Sequence, residues 1–492
     1  MYEDYTPSPL TTWTQRVVSH LERDPEAIAL VEATTEGART WTRARFSSMV
    51  AGSVDLLRAE SSVSGCSVPA LLTTRPTSVA LLVAGALADR PLAPLAPRMT
   101  EPELLACLTR MPGDVLLAEP AYADLAARLG AEVRRRVVVV DREPAGDHPL
   151  EPGTDSDRVA LTMHTSGTTG LPKRVDVREF PLGRRADVNG YLLDLHPADR
   201  MVATSLFHHV GGLGNIAVAL GNGASLAVFP SFSVDAWRAL EAVRPTHCVT
   251  IPTVFEMLLA EDALASASLR VLGYGASPIH PDTMRRVQEV MPHVDFVNLF
   301  GQTEGSPVSV LTAADHRLAA GERPDLLRSV GRAAPGTELR LESPDEDGVG
   351  EVWARSLHSF VVDEQGWQRT GDLARIDEDG YVFLVGRRGD KIIRGGENVY
   401  PIEVEQVLLT HPAVREVAVV GVPDQRLGET VTAFLVAAGA SPDPAELRAY
   451  ARARLAGFKV PVAWEFVEAL PRNPNGKVLR RELTARAAQA GL

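Results

Sequence analysis

The chain has 492 residues, 45% of them hydrophobic and 23% charged, so it exceeds one ordinary core and describes a water-soluble protein of two or more domains. A formal net charge of −13 argues against nucleic acid or an anionic membrane as partner, and any anionic ligand must be held by local donors against that field. Cys66, Cys107 and Cys248 stand far apart, which excludes a disulfide framework or a CxxC zinc site and points to a reducing cytoplasm. The first ten residues lack the basic start and apolar run of a secretory signal, and the longest apolar run, 79–88, is too short to span a bilayer.

In chain order, residues 1–150 alternate helical and strand-like runs. The pattern predicts a helix over 41–59, a buried strand over 68–72, a helix over 78–87 and a buried strand over the β-branched run 137–140. Such alternation implies a largely parallel sheet in an α/β domain. The proline-punctuated stretch 91–98 reads as a structural loop, and the Ala/Arg-rich tract 126–136 as a solvated helix face.

After a polar linker at 151–158 comes Thr165-Ser166-Gly167-Thr168-Thr169-Gly170-Leu171-Pro172-Lys173, at the end of an apolar run. Glycines let backbone N–H groups converge on an anion, hydroxyls add donors, and a lysine supplies a mobile charge. The order of residues is not that of a Walker A loop, because proline precedes the lysine and no Ser/Thr follows it. These nine residues resemble the phosphate loop of adenylate-forming enzymes: acyl-CoA synthetases, peptide-synthetase adenylation domains and beetle luciferases.

Beyond the loop, a helix is predicted over 184–195 and a strand over 201–207, delivering Phe207-His208-His209-Val210-Gly211-Gly212. Adjacent histidines point in different directions and lack a third ligand at a suitable spacing, so a metal site is not indicated. The resemblance makes this the aromatic-His-x-x-Gly segment lining the carboxylate pocket, with His208 the matching histidine and His209 an extra one. No carboxylate occurs between 201 and 234. A buried substrate ammonium would then lack a counter-charge, which disfavours an α-amino acid. The stretch 245–259 predicts a strand and helix, and 271–278 a strand and turn. Its Gly273-Tyr274-Gly275 lacks the third glycine and acidic partner of a dinucleotide fingerprint. In the family, small residues such as Gly275, Ala276 and Ser277 admit adenine.

Asn298-Leu299-Phe300-Gly301-Gln302-Thr303-Glu304 matches the family's aromatic-Gly-x-Thr-Glu. The resemblance implies that Phe300 stacks on adenine, Asn298 reads its amine, Thr303 meets a phosphate and Glu304 holds Mg²⁺, an ion served by oxygen ligands. Phe300 replaces the more usual tyrosine. Further on, Trp367-Gln368-Arg369-Thr370-Gly371-Asp372 implies a ribose-binding Asp372 and, with it, a ribose contact from Arg387. The hinge position, usually Asp or Lys, is Gly389. Gly395, Gly396 and Glu397 resemble the loop that serves the thioester step. The C-terminal hundred residues predict helices over 401–410 and 444–455 and strands over 414–422 and 430–436. They end in Pro471-Arg472-Asn473-Pro474-Asn475-Gly476-Lys477, which places Lys477 where the family has its catalytic lysine.

The resemblance therefore implies an α/β protein with a large multi-subdomain N-terminal AMP-binding domain, 1–387, and a small mobile α+β C-terminal domain, 388–492. It implies ATP-dependent activation of a carboxylic acid as the acyl-adenylate, followed by thioester formation with coenzyme A. The alternative acceptor is the phosphopantetheine of a carrier protein. Lys477, Glu304, Thr165 and His208 are the implied catalytic residues. Ser166, Gly167, Thr168, Thr169, Gly170 and Lys173 join the nucleotide site, and Gly301 borders it. Phe207, His208, Gly211, Gly212, Gly273 and Tyr274 form the implied acyl pocket, whose glycines and few charges point to a bulky apolar or aromatic acid. A monomer and a homodimer both stay open.

Overall fold

The computed structural model describes all residues except 1, 3, 10, 35–36, 62, 167–171, 267, 473–477 and 491–492. It divides into two compact units, one of Met1–Glu338 with Arg355–Gln368, the other of Leu339–Ala354 with Arg369–Leu492. Among the described residues no helix is long and apolar enough to cross a membrane.

The first unit contains two sheets. The larger runs across Arg332–Ala333, Gly305–Leu311, Asp295–Gln302, Val271–Gly275, His247–Thr250, Arg200–Ala203, Ser225–Val228, Ile28–Thr34 and Gly37–Thr42. From Asp295–Gln302 to Ile28–Thr34 every pairing is parallel, and antiparallel partners close both edges. The smaller sheet orders Arg136–Val139, Val115–Ala118, Val68–Leu71, Leu92–Pro94, Val159–Ser166 and Pro172–Arg178. Residues 1–150 therefore do not make a sheet of their own: the hairpin Ile28–Thr42 joins the strands after residue 200.

Between the strands, helices follow the 3.6-residue period. Pro76–Leu87 is buried on all sides, as its run of Val, Ala and Leu requires. Trp13–Arg23 instead carries a capping box, Thr12 with Gln15, and buries Trp13, whose Nε1 donates to Ala217 O at 2.9 Å.

Two sequence expectations change. The stretch 91–98 is not simply a loop, since Leu92–Pro94 is an interior parallel strand. Val68 N donates to Pro91 O at 2.8 Å and Leu95 N to Ala70 O at 2.9 Å, so Pro91 serves as acceptor only and its missing N–H costs this ladder nothing. The strand Arg136–Val139 is not buried; it is the sheet's edge, partly exposed along its length, and β-branching alone could not tell edge from centre.

The second unit holds a four-stranded sheet of Glu338–Glu342, Gly350–Arg355, Gln368–Ile376 and Val382–Arg387, the last two paired antiparallel. It also holds a five-stranded sheet built on the long hairpin Val414–Asp424 and Gly428–Ala437, with Ala463–Phe466 paired in parallel to the latter. Helices Pro401–Leu409 and Pro444–Arg452 contribute Val404, Leu408, Leu447 and Ala451 to its core.

Candidate active site

In an open parallel sheet, loops that leave the carboxyl ends of the strands share one edge, where ligands bind. Four of the singled-out segments leave that edge of the larger sheet. Arg200–Ala203 leads to Phe207 and the two histidines, His247–Thr250 to the helix Pro252–Ala260, Val271–Gly275 to Ala276 and Ser277, and Asp295–Gln302 to Thr303 and Glu304.

At the end of Val271–Gly275 the backbone is tightly constrained. A Cβ on Gly275 would stand 2.3 Å from Leu299 O, and Ala276 adopts φ +66°, a left-handed conformation rare for a residue with a side chain. Ala276 and Ser277 are exposed. Next to them, Gln302 pairs with Gly305, so Thr303 and Glu304 are the two turn residues of a tight hairpin. The turn is pinned from outside: Phe360 N and Val361 N donate to Glu304 O at 2.7 and 3.1 Å. The half-buried Glu304 carboxylate has no ion pair among the described residues, and no three His, Cys, Asp or Glu side chains there gather as a metal cage. A single carboxylate acting with phosphate oxygens suits Mg²⁺, which keeps several waters and needs no protein cage.

The acyl-pocket candidates divide. Phe207 is buried, and His208 is 9% exposed. Gly212 passes so close to Leu206 that a Cβ would fall 2.1 Å from its carbonyl oxygen, and one on Gly211 would meet Ser205 Oγ at 3.1 Å. On Gly273 the Cβ position is filled by Val249 at 2.8 Å. Tyr274 is turned into the interior, where its hydroxyl bonds His316 Nε2 at 2.8 Å and its ring packs edge-on to Phe255. Burial pushes the Tyr274 hydroxyl pKa up, and the neighbouring Asn298 side chain bears on the same hydroxyl. Gly301 likewise faces Ser306, whose Cβ would lie 2.7 Å from an added one. Packing accounts for Gly212, Gly273 and Gly301 as glycines.

His209, unplaced by sequence, caps the helix Val210–Gly221: its Nδ1 accepts from Gly211 N at 3.0 Å. Burial, helped by the charge of Arg185, lowers its pKa and keeps it the neutral acceptor that a cap requires.

In the smaller sheet, Val159–Ser166 and Pro172–Arg178 form a hairpin whose register sets Thr165 opposite Lys173 and Ser166 opposite Pro172. Both ends of the hydroxyl-rich loop are thus fixed, while Gly167, Thr168, Thr169 and Gly170, and the Ser166 side chain, lie outside the described residues.

The second unit carries the remaining candidates. Asp372 and Arg387 are cross-strand partners, and Arg387 Nε reaches Asp372 Oδ1 at 2.9 Å. Asp372 is buried and Arg387 exposed, which leaves the pair open on the arginine side. Thr370 Oγ1 donates to Val352 O at 2.7 Å and accepts from Asp372 N at 3.1 Å. Sequence reasoning missed Glu351, which receives Gly371 N at 3.1 Å and Arg388 Nη1 at 3.2 Å and so holds this turn. Gly389 is exposed, with open space where a Cβ would stand. Gly395 and Gly396 are the two-residue turn between Ile392–Arg394 and Glu397–Val399, with φ +61° and +91°. Lys477 lies outside the described residues. Its flanks are fixed by the bridge between Arg472 and Val478 and by Leu479 N donating to Pro471 O at 2.8 Å.

Comparison with known proteins matches two family models in succession along the chain. The family described as AMP-binding enzyme matches residues 17–360, and the AMP-binding enzyme C-terminal domain matches residues 403–477. Feruloyl-CoA synthase from Amycolatopsis sp is 34% identical over 478 residues, covering 92% of this chain and 95% of that protein. Fatty acid–[acyl-carrier-protein] ligase ScoC from Streptomyces coeruleorubidus is 33% identical over 432 residues, 80% of this chain and 82% of its own. The ATP-bound crystal structure of MatB from Rhodopseudomonas palustris superimposes with a TM-score of 0.87 at 26% identity, covering 98% and 99% of the two chains.

Proposed function

Because this chain belongs to the AMP-binding enzyme family, with both family domains matched in order, we propose that it is an AMP-forming acid–thiol ligase. It activates a small-molecule carboxylic acid with ATP and passes the acyl group to coenzyme A. The observation that carries this reading is the pinned Thr303–Glu304 turn beside the Gly275–Ser277 turn at one sheet edge, a flat-ligand and phosphate site followed in the chain by the Asp372–Arg387 pair.

In the first half-reaction a carboxylate oxygen attacks the α-phosphorus in line. A P–O bond forms to the acid and the bond to pyrophosphate breaks. Thr165, Ser166 and Lys173, with Gly167, Thr168, Thr169 and Gly170, guide the leaving pyrophosphate. Glu304 would hold Mg²⁺, and the ion would supply charge neutralisation at the phosphates. Phe300 and the backbone at Gly275, Ala276 and Ser277 receive adenine, Thr303 a phosphate, and Asp372 with Arg387 the ribose. Lys477 neutralises charge shared by the carboxylate and α-phosphate; fixed charges aimed at developing charge carry most of such catalysis. In the second half-reaction a thiol attacks the acyl carbonyl, the C–S bond forms, and AMP leaves with the C–O bond pair. Gly395, Gly396 and Glu397 serve this step, and rotation about Gly389 exchanges the two arrangements. The acid lacks an α-amino group, since 201–234 offers no carboxylate to pair with one. A cytoplasmic location belongs to the same reading.

Acid-dependent ATP–pyrophosphate exchange, with AMP as coproduct, tests the first half-reaction. Lys477→Ala should lower it by about a hundredfold or more while thioester formation from pre-made acyl-adenylate stays within about threefold. Equal losses in both would remove Lys477 from this role. The 33% identity to an acyl-carrier-protein ligase favours a second reading of the acceptor. Offering coenzyme A and a phosphopantetheinylated carrier protein in parallel separates the two.

A further inference from the structure

Arg185 lies in the helix Glu179–Leu192 and is only 5% exposed. Its Nε and Nη1 are buried without a hydrogen-bond partner, and no carboxylate pairs with it among the described residues. The acids of its own helix are committed elsewhere. Asp187 is bound by Arg16 and Arg184, and Glu179 by Thr14 and Arg158. Burial brings its pKa down only to about 10, so it stays cationic at neutral pH. Guanidinium has five donors and no acceptor, and an uncompensated buried charge of this kind is strongly destabilising.

The location of that charge is specific. The guanidinium rests against the helix Val210–Gly221 at Gly214, where an added Cβ would stand 2.5 Å from Nη2. Gly214 is one turn into the helix from Gly211 and Gly212, which line the proposed acyl pocket. Arg185 also lowers the pKa of His209 and of His358, though burial is the larger cause in both. Neither can neutralise it. His209 Nδ1 is the acceptor for Gly211 N, and His358 Nε2 donates to Pro307 O at 2.8 Å. A fixed cation and two neutral imidazoles beside the positive end of a helix make a lining that, among the described residues, lacks only an anion.

We propose that Arg185 is a specificity-determining residue of the acyl site and receives a second anionic group, so that the activated acid carries another carboxylate or a sulfonate beside the carboxylate that reacts. This rests on the ligase reading above and replaces the apolar or aromatic acid expected from composition of the pocket. Arg185 escapes a motif search because it stands in the preceding helix, outside the Phe207–Gly212 segment. A sequence signal did exist: the second of two adjacent arginines falls on the apolar face of an otherwise ordinary helix.

The test is ATP–pyrophosphate exchange with matched acids. Succinate, glutarate and adipate are compared with butyrate, valerate and hexanoate, terephthalate with 4-methylbenzoate, and 3-sulfopropanoate is added to separate sulfonate from carboxylate. Ferulate serves as an aromatic monoacid. At least one dianionic acid should exceed its matched monoacid in kcat/KM by about a hundredfold, the scale on which a site built for a polar group rejects an analogue lacking it. Arg185→Met should raise KM for the dianion with kcat little changed and bring the ratio close to one, and Arg185→Lys should restore part of it. A merely structural arginine would change the melting temperature and both acids alike. Activation of monoacids with no preference for their dianionic partners overturns the inference and leaves the ligase reading standing, even if the variants fail to fold. Unchanged selectivity in folded Arg185→Met also overturns it. No exchange with any acid overturns both.

Discussion

Tyr274 and His316 form a closed internal pair. His316 Nδ1 donates to Thr312 O at 2.8 Å, which leaves Nε2 as acceptor for the Tyr274 hydroxyl at 2.8 Å. Tyr274→Phe removes the donor and leaves a buried acceptor unpaired, so it should cost about 1–3 kcal/mol in chemical denaturation. Exchange activity in the folded variant should stay within about twofold, because the hydroxyl faces the core. A large rise in KM for the acid with unchanged stability would return Tyr274 to the acyl pocket. At this scale residue type alone misleads. Tyrosine between two glycines reads as a pocket wall, and only the alternation of the strand, with Tyr274 facing Phe255 and His316, turns it inward. His209 is the reverse case, an extra histidine to which its motif gives no role and which is a helix cap.

Among elements, the hairpin Ile392–Val399 shows what its glycines are for. Two consecutive residues with positive φ match the two-residue turns that suit the right-handed twist of the strands. Gly396→Val places a β-branched side chain at φ +91° and should destabilise the second unit by about 1–2 kcal/mol, read from urea denaturation. Open space surrounds the Cβ position, so the cost would come from backbone strain and Gly396→Asn should recover part of it. Equal stability of the Val and Asn variants would contradict that account. The Asp372–Arg387 pair likewise depends on its ladder: register sets the two opposite each other, and a slip of one residue would turn both side chains to the wrong face. The sequence marked these motifs through Gly and Asp at fixed spacing, yet said nothing of Glu351, a lone carboxylate with no motif around it.

On the scale of the molecule, two predictions follow the distribution of flexibility and of buried imidazole. Gly389 is exposed and uncrowded, so Gly389→Ala should leave stability within about 0.5 kcal/mol. Gly389→Pro fixes φ and should impair one half-reaction by about tenfold or more while sparing the other. Unchanged kinetics in both would take the hinge away from this position. His316 and His358 are buried, and burial lowers each pKa to about 4. The folded value lies below the ordinary 6.5, so their contribution is present above 6.5 and is lost as pH falls toward 4, while the unfolded chain takes up protons. Each histidine withdraws up to about 1.4 kcal/mol per pH unit in that window. Thermal melts from about pH 7.5 to about pH 5 should show a falling midpoint, and a flatter slope in His358→Asn; a flat profile in the parent chain would show these imidazoles are not held neutral.

What the sequence determined by itself is the family, the order of the motifs and the residue types proposed to meet a nucleotide. Those depend on short-range chemistry: hydroxyls and glycines around an anion, a carboxylate in a tight turn, a lysine in a fixed local setting. The pattern of strands and helices was legible for the same reason, since burial imposes its period locally. Tertiary structure decided the rest. It put Pro94 in an interior strand, made Arg136–Val139 an edge, turned Tyr274 inward and left Arg185 buried beside Gly214 without a counter-ion among the described residues. Each of these depends on which residues distant in the chain become neighbours, and no local pattern of a single sequence carries that.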